Sequence, residues 1–132
     1  MRMWLVDPKI MCQKHLCGEH LEMHMYLGAI KKGKKIRGFL KNNLFEPKKL
    51  KDRHDELATE MERRGYRHAS LMLQDDYEET IKLLNEEDLC VCIDKECSLN
   101  QLVSRCPKCC QGFSQVCSEP LPASPTETQS IY

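Results

Sequence analysis

The sequence predicts a mainly α-helical protein, a compact few-helix single domain with a Cys-rich C-terminal extension. Apolar residues recur at steps of three and four in two long segments instead of alternating, which is the helical period. The chain has 132 residues, 41% apolar with only eight aromatics; that suits one modest core and excludes a large sandwich, a collagen or a wholly disordered chain. Seven of the nine cysteines crowd residues 90–117, so that stretch stands apart. The expected organisation is a helical domain over 1–89, a Cys-rich extension over 90–117 and a disordered tail, rich in Ser, Thr and Pro, over 118–132.

The elements follow in order. Residues 1–9 read as an extended segment broken at Asp7-Pro8. From about Gln13 to Lys32, Leu16, His20, Met23, Leu27 and Ile30 share one helix face, and Gly33 offers a stop. The run Lys31–Lys41 reads as a loop or short irregular segment. Pro47 suits the first turn of a second helix, with Leu50, His54, Leu57 and Met61 as its stripe and Arg63-Arg64-Gly65 as its end. A third helix is expected from Asp76 to about Asn85, facing inward with Tyr77, Ile81 and Leu84. Ser98 is positioned to cap a brief turn through Leu102.

Charge is balanced overall, 20 basic against 20 acidic residues, but not along the chain. Residues 1–70 carry 16 basic and 9 acidic side chains, a net of +7; residues 71–132 carry 4 and 11, a net of −7. The basic half suits a polyanion and the acidic half does not. Between Lys31 and Lys41 stand six basic residues (Lys31, Lys32, Lys34, Lys35, Arg37, Lys41) and no acid, a run able to neutralise phosphates without reading sequence. The alternative for such a run is a solvated loop, but the absence of any acid from Lys31 to Phe45 favours nucleic acid. No apolar stretch approaches the roughly 20 residues that cross a bilayer, and the opening segment is too short for a secretory signal. The expectation is an intracellular, cytoplasmic protein without membrane contact.

In that setting a cysteine cluster points to metal before disulfides. Cys106-Pro-Lys-Cys109 has the spacing of a zinc knuckle, and Cys92 and Cys97 are expected to supply the other two thiolates of a structural zinc. Cys90, Cys110 and Cys117 are rival ligands, and a set of free thiols is the alternative. His20 and His24, one turn apart, form a second candidate pair for an ion.

On the first helix, His15, Glu19, Glu22 and Tyr26 fall on one stripe. The pattern His15-Leu16-x-x-Glu19-x-x-Glu22, with Leu27-Gly28-Ala29-Ile30-Lys31-Lys32 after it, resembles the catalytic helix of the pyrimidine-dimer DNA glycosylases, the phage endonuclease V type. Two further blocks are similar to that family in the same order: Gly33-Lys34-Lys35-Ile36-Arg37-Gly38-Phe39, and Leu50-x-x-Arg53-His54-x-Glu56-Leu57-x-x-Glu60-x-x-x-Arg64-Gly65-Tyr66. The resemblance covers residues 1 to about 70.

The resemblance implies a bifunctional glycosylase and abasic-site lyase whose nucleophile is the chain's own α-amino group, here Met1, with Glu22 as the catalytic carboxylate. Because Arg2 is a bulky second residue, the initiator methionine is expected to be retained with its amine free. The choice of nucleophile suits the chemistry: an α-amine titrates at about 7.7–8.0 and a lysine near 10.4, so far more of the former is neutral at physiological pH. Arg2, His15, Lys31, Lys32, Lys34, Lys35, Arg37 and Arg53 are the expected DNA contacts. Leu21 and Met25 stand where the family carries arginines, which leaves the lesion open: a pyrimidine dimer, or another damaged or modified base. The partner implied is double-stranded DNA, bound by a monomer, with no cofactor needed for catalysis. The alternative is a non-enzymatic zinc-binding nucleic-acid adaptor.

Overall fold

In the computed structural model, which describes residues 1–67 and 70–118, the chain is built around α1, Gln13–Lys31. The following helices are α2 (Arg37–Lys41), α3 (Leu50–Arg63), α4 (Gln74–Ile81), α5 (Glu86–Leu89), α6 (Lys95–Arg105) and α7 (Pro107–Ser118). Two 3-10 turns, Pro8–Ile10 and Pro47–Lys49, precede α1 and α3. Among the described residues there is no strand, and no helix is long and apolar enough to cross a membrane.

The stripes expected from periodicity form the main interface. Leu16, His20, Met23, Leu27 and Ile30 of α1 are buried, as are Leu50, His54, Leu57 and Met61 of α3. Each large apolar side chain buried in this way contributes on the order of 1.5–3 kcal/mol. Tyr26 stacks on Phe45, with centroids 4.0 Å apart and rings nearly parallel, and meets Phe39 edge-on.

A charged pair sits inside this apolar interface. Arg53 and Glu19 are both buried and joined by two bonds, Nε to Oε2 at 2.7 Å and Nη2 to Oε1 at 2.9 Å. Arg53 Nη1 also donates to Val6 O and Glu56, while Glu19 accepts the Trp4 N–H at 3.0 Å. The pair thus pins the extended amino-terminal run between α1 and α3. Arg53 was expected on the DNA surface; the structure corrects this, because its donors are spent inside the protein and its side chain is closed to solvent.

Several local expectations change. Gly33 does end α1, at φ 69°, but a short helix, α2, follows within the expected loop because Ile36 and Leu40, four residues apart, both reach the core. The third helix ends earlier than expected, and Asn85 caps α5 instead by accepting the Asp88 N–H. α6 is far longer than a brief turn. Asp94, not Ser98, caps it by accepting the Cys97 N–H at 3.0 Å, and Ser98 Oγ donates to Trp4 O at 2.6 Å.

The Cys-rich stretch packs onto the other end of the molecule. Leu102 and Cys109 are fully buried in the common core. α7 lies so close to the Pro8–Ile10 turn that a Cβ on Gly112 would stand 2.2 Å from Ile10 O; only glycine permits this approach. Arg64 secures the same turn from the α3 side, donating to Pro8 O at 3.0 Å. The tail expected to be disordered lies, from residue 119, outside the described residues.

Candidate functional site

The amino-terminal run buries Met3, Trp4 and Val6 in the core and is also held by its main chain. Three successive backbone N–H groups donate in turn: Arg2 to Glu22 Oε1 at 3.1 Å, Met3 to Leu44 O at 2.7 Å and Trp4 to Glu19 Oε2 at 3.0 Å. Glu19 and Glu22 lie one turn apart on α1, so one helix face supplies two of the three acceptors. The Glu22 carboxylate therefore sits one residue from the chain's α-amino group. Met1 itself is 37% exposed and borders a groove of about 510 Å³ with His24, Lys32, Lys34, Lys35 and Phe39.

Arg2 turns away from that groove. Its guanidinium lies 3.9 Å over the Trp4 ring and donates to Gln101 Oε1 at 2.7 Å and Ser98 Oγ at 3.3 Å, both on α6. Burial, and then the charge of Arg105, lower its pKa from the ordinary arginine range. The acidic half of the chain thus has a definite task here: α6 anchors the residue next to Met1.

Tyr26, one turn beyond Glu22, ends in a hydroxyl that is buried with no hydrogen-bond partner among the described residues. Its pKa is raised, first by burial and then by the negative charge of Glu22. An orphaned polar group costs roughly 1–3 kcal/mol, so its placement beside Glu22 is a marked feature of the site. The stripe reading placed Tyr26 with Glu22 but gave it no role.

The basic run divides. Lys32, Lys34 and Lys35 border the Met1 groove, and the same lysines with Lys31 and Arg37 border an adjoining groove of about 830 Å³. Lys31 pairs with Asp76 of α4 at 2.6 Å. Leu21 and Met25 stand exposed, at 60% and 48%, on either side of Glu22 in the sequence.

His15 lies away from the groove. Its Nδ1 is 3.2 Å from Cys12 Sγ and 3.5 Å from Cys109 Sγ, and its ring meets Trp4 edge-on. Burial, then Lys14, lower its pKa. With Cys106 these residues form a group whose four donor atoms all lie within 4.8 Å of one another. The four-cysteine set expected from spacing is not what the fold brings together: Cys106 and Cys109 are present, but Cys92 is exposed near Cys90 O and Cys97 is exposed beside Gln101. Their place is taken by Cys12 and His15, whose Cys-x-x-His spacing repeats that of Cys106-x-x-Cys109 and was the available signal. A second group, His20, His24 and His54, also has its ring nitrogens within 4.8 Å; His20 Nε2 and His54 Nε2 are 3.1 Å apart. α3 thus adds a third histidine to the pair read from α1.

A family model described as pyrimidine dimer DNA glycosylase matches residues 1–74. That span takes in the amino-terminal run, α1, α2 and α3, and stops short of α6 and α7. No curated protein and no solved structure gives a significant match to the chain. The three resembling blocks, the run that carries Met1 and the helix that carries Glu22 all fall within the matched residues, which make up more than half of the sequence, and the chain belongs to the pyrimidine dimer DNA glycosylase family.

Proposed function

We propose that the protein is a DNA repair glycosylase with abasic-site lyase activity, acting on duplex DNA through a Schiff base at the Met1 amine. Family membership supports the glycosylase-type repair function; the observation that carries the finer reading is the 3.1 Å bond from the Arg2 N–H to Glu22 Oε1. It keeps a carboxylate next to the nucleophile without consuming the amine in that bond.

The neutral amine attacks C1′ of the damaged nucleotide, the glycosidic bond breaks, and the base departs with its electron pair. Loss of the ring oxygen as a C4′ hydroxyl leaves a protonated imine between Met1 and the opened sugar. Glu22 stabilises the positive charge that develops at C1′ and then takes a C2′ proton. β-Elimination breaks the C3′–O bond and cleaves the strand, and water hydrolyses the imine to restore the amine. Lys32, Lys34 and Lys35 along the groove meet the phosphates flanking the lesion. Access to C1′ calls for a nucleotide swung out of the stack. The exposed apolar pair Leu21 and Met25 offers contact to bases, and the lesion is a pyrimidine dimer or another damaged base.

Borohydride trapping on duplexes containing an abasic site or a dimer tests this. A covalent adduct mapping to Met1 and lost on blocking the terminus is expected. Glu22→Gln should lower strand cleavage by about 10²–10⁴-fold while leaving salt-dependent binding in place. An adduct on a lysine, or binding with no adduct as for an adaptor, overturns the mechanism. Strand cleavage that proceeds without any Met1 adduct and stops under a chelator assigns the chemistry to the histidine group instead.

A further inference from the structure

Cys12, His15, Cys106 and Cys109 form an assembly that the proposed reaction leaves unused and that joins the two ends of the sequence. We propose that these four residues bind a structural zinc ion that clasps α6 and α7 to the start of α1.

The geometry fits the ion. Zn–S bonds of about 2.3 Å and Zn–N bonds of about 2.0–2.1 Å, arranged tetrahedrally, put sulfur atoms about 3.8 Å apart and sulfur about 3.6 Å from nitrogen. The structure has Cys12 Sγ to Cys106 Sγ at 3.9 Å, Cys12 Sγ to His15 Nδ1 at 3.2 Å and Cys109 Sγ to His15 Nδ1 at 3.5 Å. A disulfide would need sulfurs about 2.05 Å apart, and all four donor atoms lie within 4.8 Å of one another.

The surroundings fit as well. Cys12 is the N-cap of α1 and makes no side-chain capping bond; Cys106 and Cys109 flank the first turn of α7. Two positive helix ends therefore converge on the group. Zinc with three thiolates and a neutral imidazole carries a net charge of −1, the sign that such a meeting requires, and binding releases the three thiol protons to solvent. Two backbone N–H groups already aim at the sulfurs, Cys12 N–H at Cys109 Sγ (3.3 Å) and Cys109 N–H at Cys106 Sγ (3.4 Å). The edge of Trp4 orients the His15 ring. Such outer contacts are what holds ligands in place for a metal.

The clasp acts on a part of the protein with few apolar residues of its own. It fixes the start of α7 against α1, and through the α6–α7 junction it steadies Gln101 and Ser98, which hold Arg2.

Metal analysis of the purified, reduced full-length chain tests the site independently of any activity. One zinc per chain is expected. Replacement by Co(II) should give intense visible bands of a tetrahedral site together with a thiolate-to-metal charge-transfer band, a signature the three-histidine group cannot produce. Cys12→Ser and Cys109→Ser should each lose the zinc, and Cys92→Ser and Cys97→Ser should each retain it. The wild-type cobalt spectrum keeps the test sound even where Cys109→Ser fails to fold. Absence of zinc from the wild type, a cobalt adduct without thiolate absorption, or loss of metal on changing Cys92 or Cys97 overturns the assignment.

Discussion

The half of the molecule built on α1 and α3 and the half built on α6 and α7 share one core but are fastened by different means. The first buries two matched apolar stripes and closes them over the Glu19–Arg53 pair. The second fully buries one large apolar side chain, Leu102, and packs Leu99, Phe113 and Val116 only partly against the core; it relies also on a glycine contact at Gly112, on polar bonds to the amino-terminal run, and on the Cys–His group. The difference teaches where the proposed chemistry is exposed to loss. The first half builds the groove and carries Glu22, and the second secures Arg2.

Breaking the pair in the first half should have the largest effect on stability. Arg53→Met leaves the Glu19 carboxylate buried without its partner, at a cost of about 3–5 kcal/mol, read as a fall in denaturant midpoint with cleavage lost in parallel. Adding Glu19→Gln should recover part of this loss, since the residual charge is then gone; a double variant as unstable as the sum of both singles would show that the two residues do not act as a unit.

Opening the second half should do less to the fold and more to the site. Gly112→Ala drives a Cβ against Ile10 O and should cost about 1–3 kcal/mol through overpacking. We expect the abasic-lyase rate to fall while α1 and α3 keep their protection from hydrogen exchange. Uniform loss of protection across all helices would show that the halves unfold together.

A smaller effect comes from Glu60, which binds Arg63 and Arg64 beside the Pro8–Ile10 turn. The hydrogen bond from Arg63, against a cost of burial, and then that from Arg64 hold its carboxyl below the ordinary range. Its stabilisation is therefore complete above the unfolded pKa of about 4.3 and is lost as pH falls through the lower folded value. Acid unfolding of Glu60→Gln should lack this component, and identical pH profiles for variant and wild type would remove it. The smallest change is Tyr26→Phe. Because the hydroxyl has no partner among the described residues, its removal should leave thermal stability unchanged or slightly higher, whereas a clear loss would reveal a bond made in solution.

The same contrast explains what could be read in advance. α1 and α3 were legible because five and four buried positions recur at the helical period. In α7 the signal was present, since Cys109, Phe113 and Val116 recur at steps of four and three and pack on the core, but its cysteines read as metal ligands instead of apolar positions. Arg53 read as a surface cation since charge alone does not disclose a buried partner 34 residues away. The thiols of Cys106 and Cys109 read as ligands through their spacing, but a linear motif cannot announce that Cys12 lies 94 residues upstream of its neighbour Cys106. Ser98 looked like a cap, and only the fold turns its hydroxyl to the carbonyl of Trp4.

The three consecutive amide grips on residues 2–4 make the start of the chain a ruler. They grasp peptide units and ignore the first side chain, so exchanging Met1 for another amino acid should preserve the spacing, provided its amine stays free. Inserting a single glycine ahead of Arg2 would leave every rung occupied yet carry the terminal nitrogen as much as about 3.6 Å farther out. Tolerance of substitution alongside intolerance of lengthening is the behaviour that this arrangement imposes.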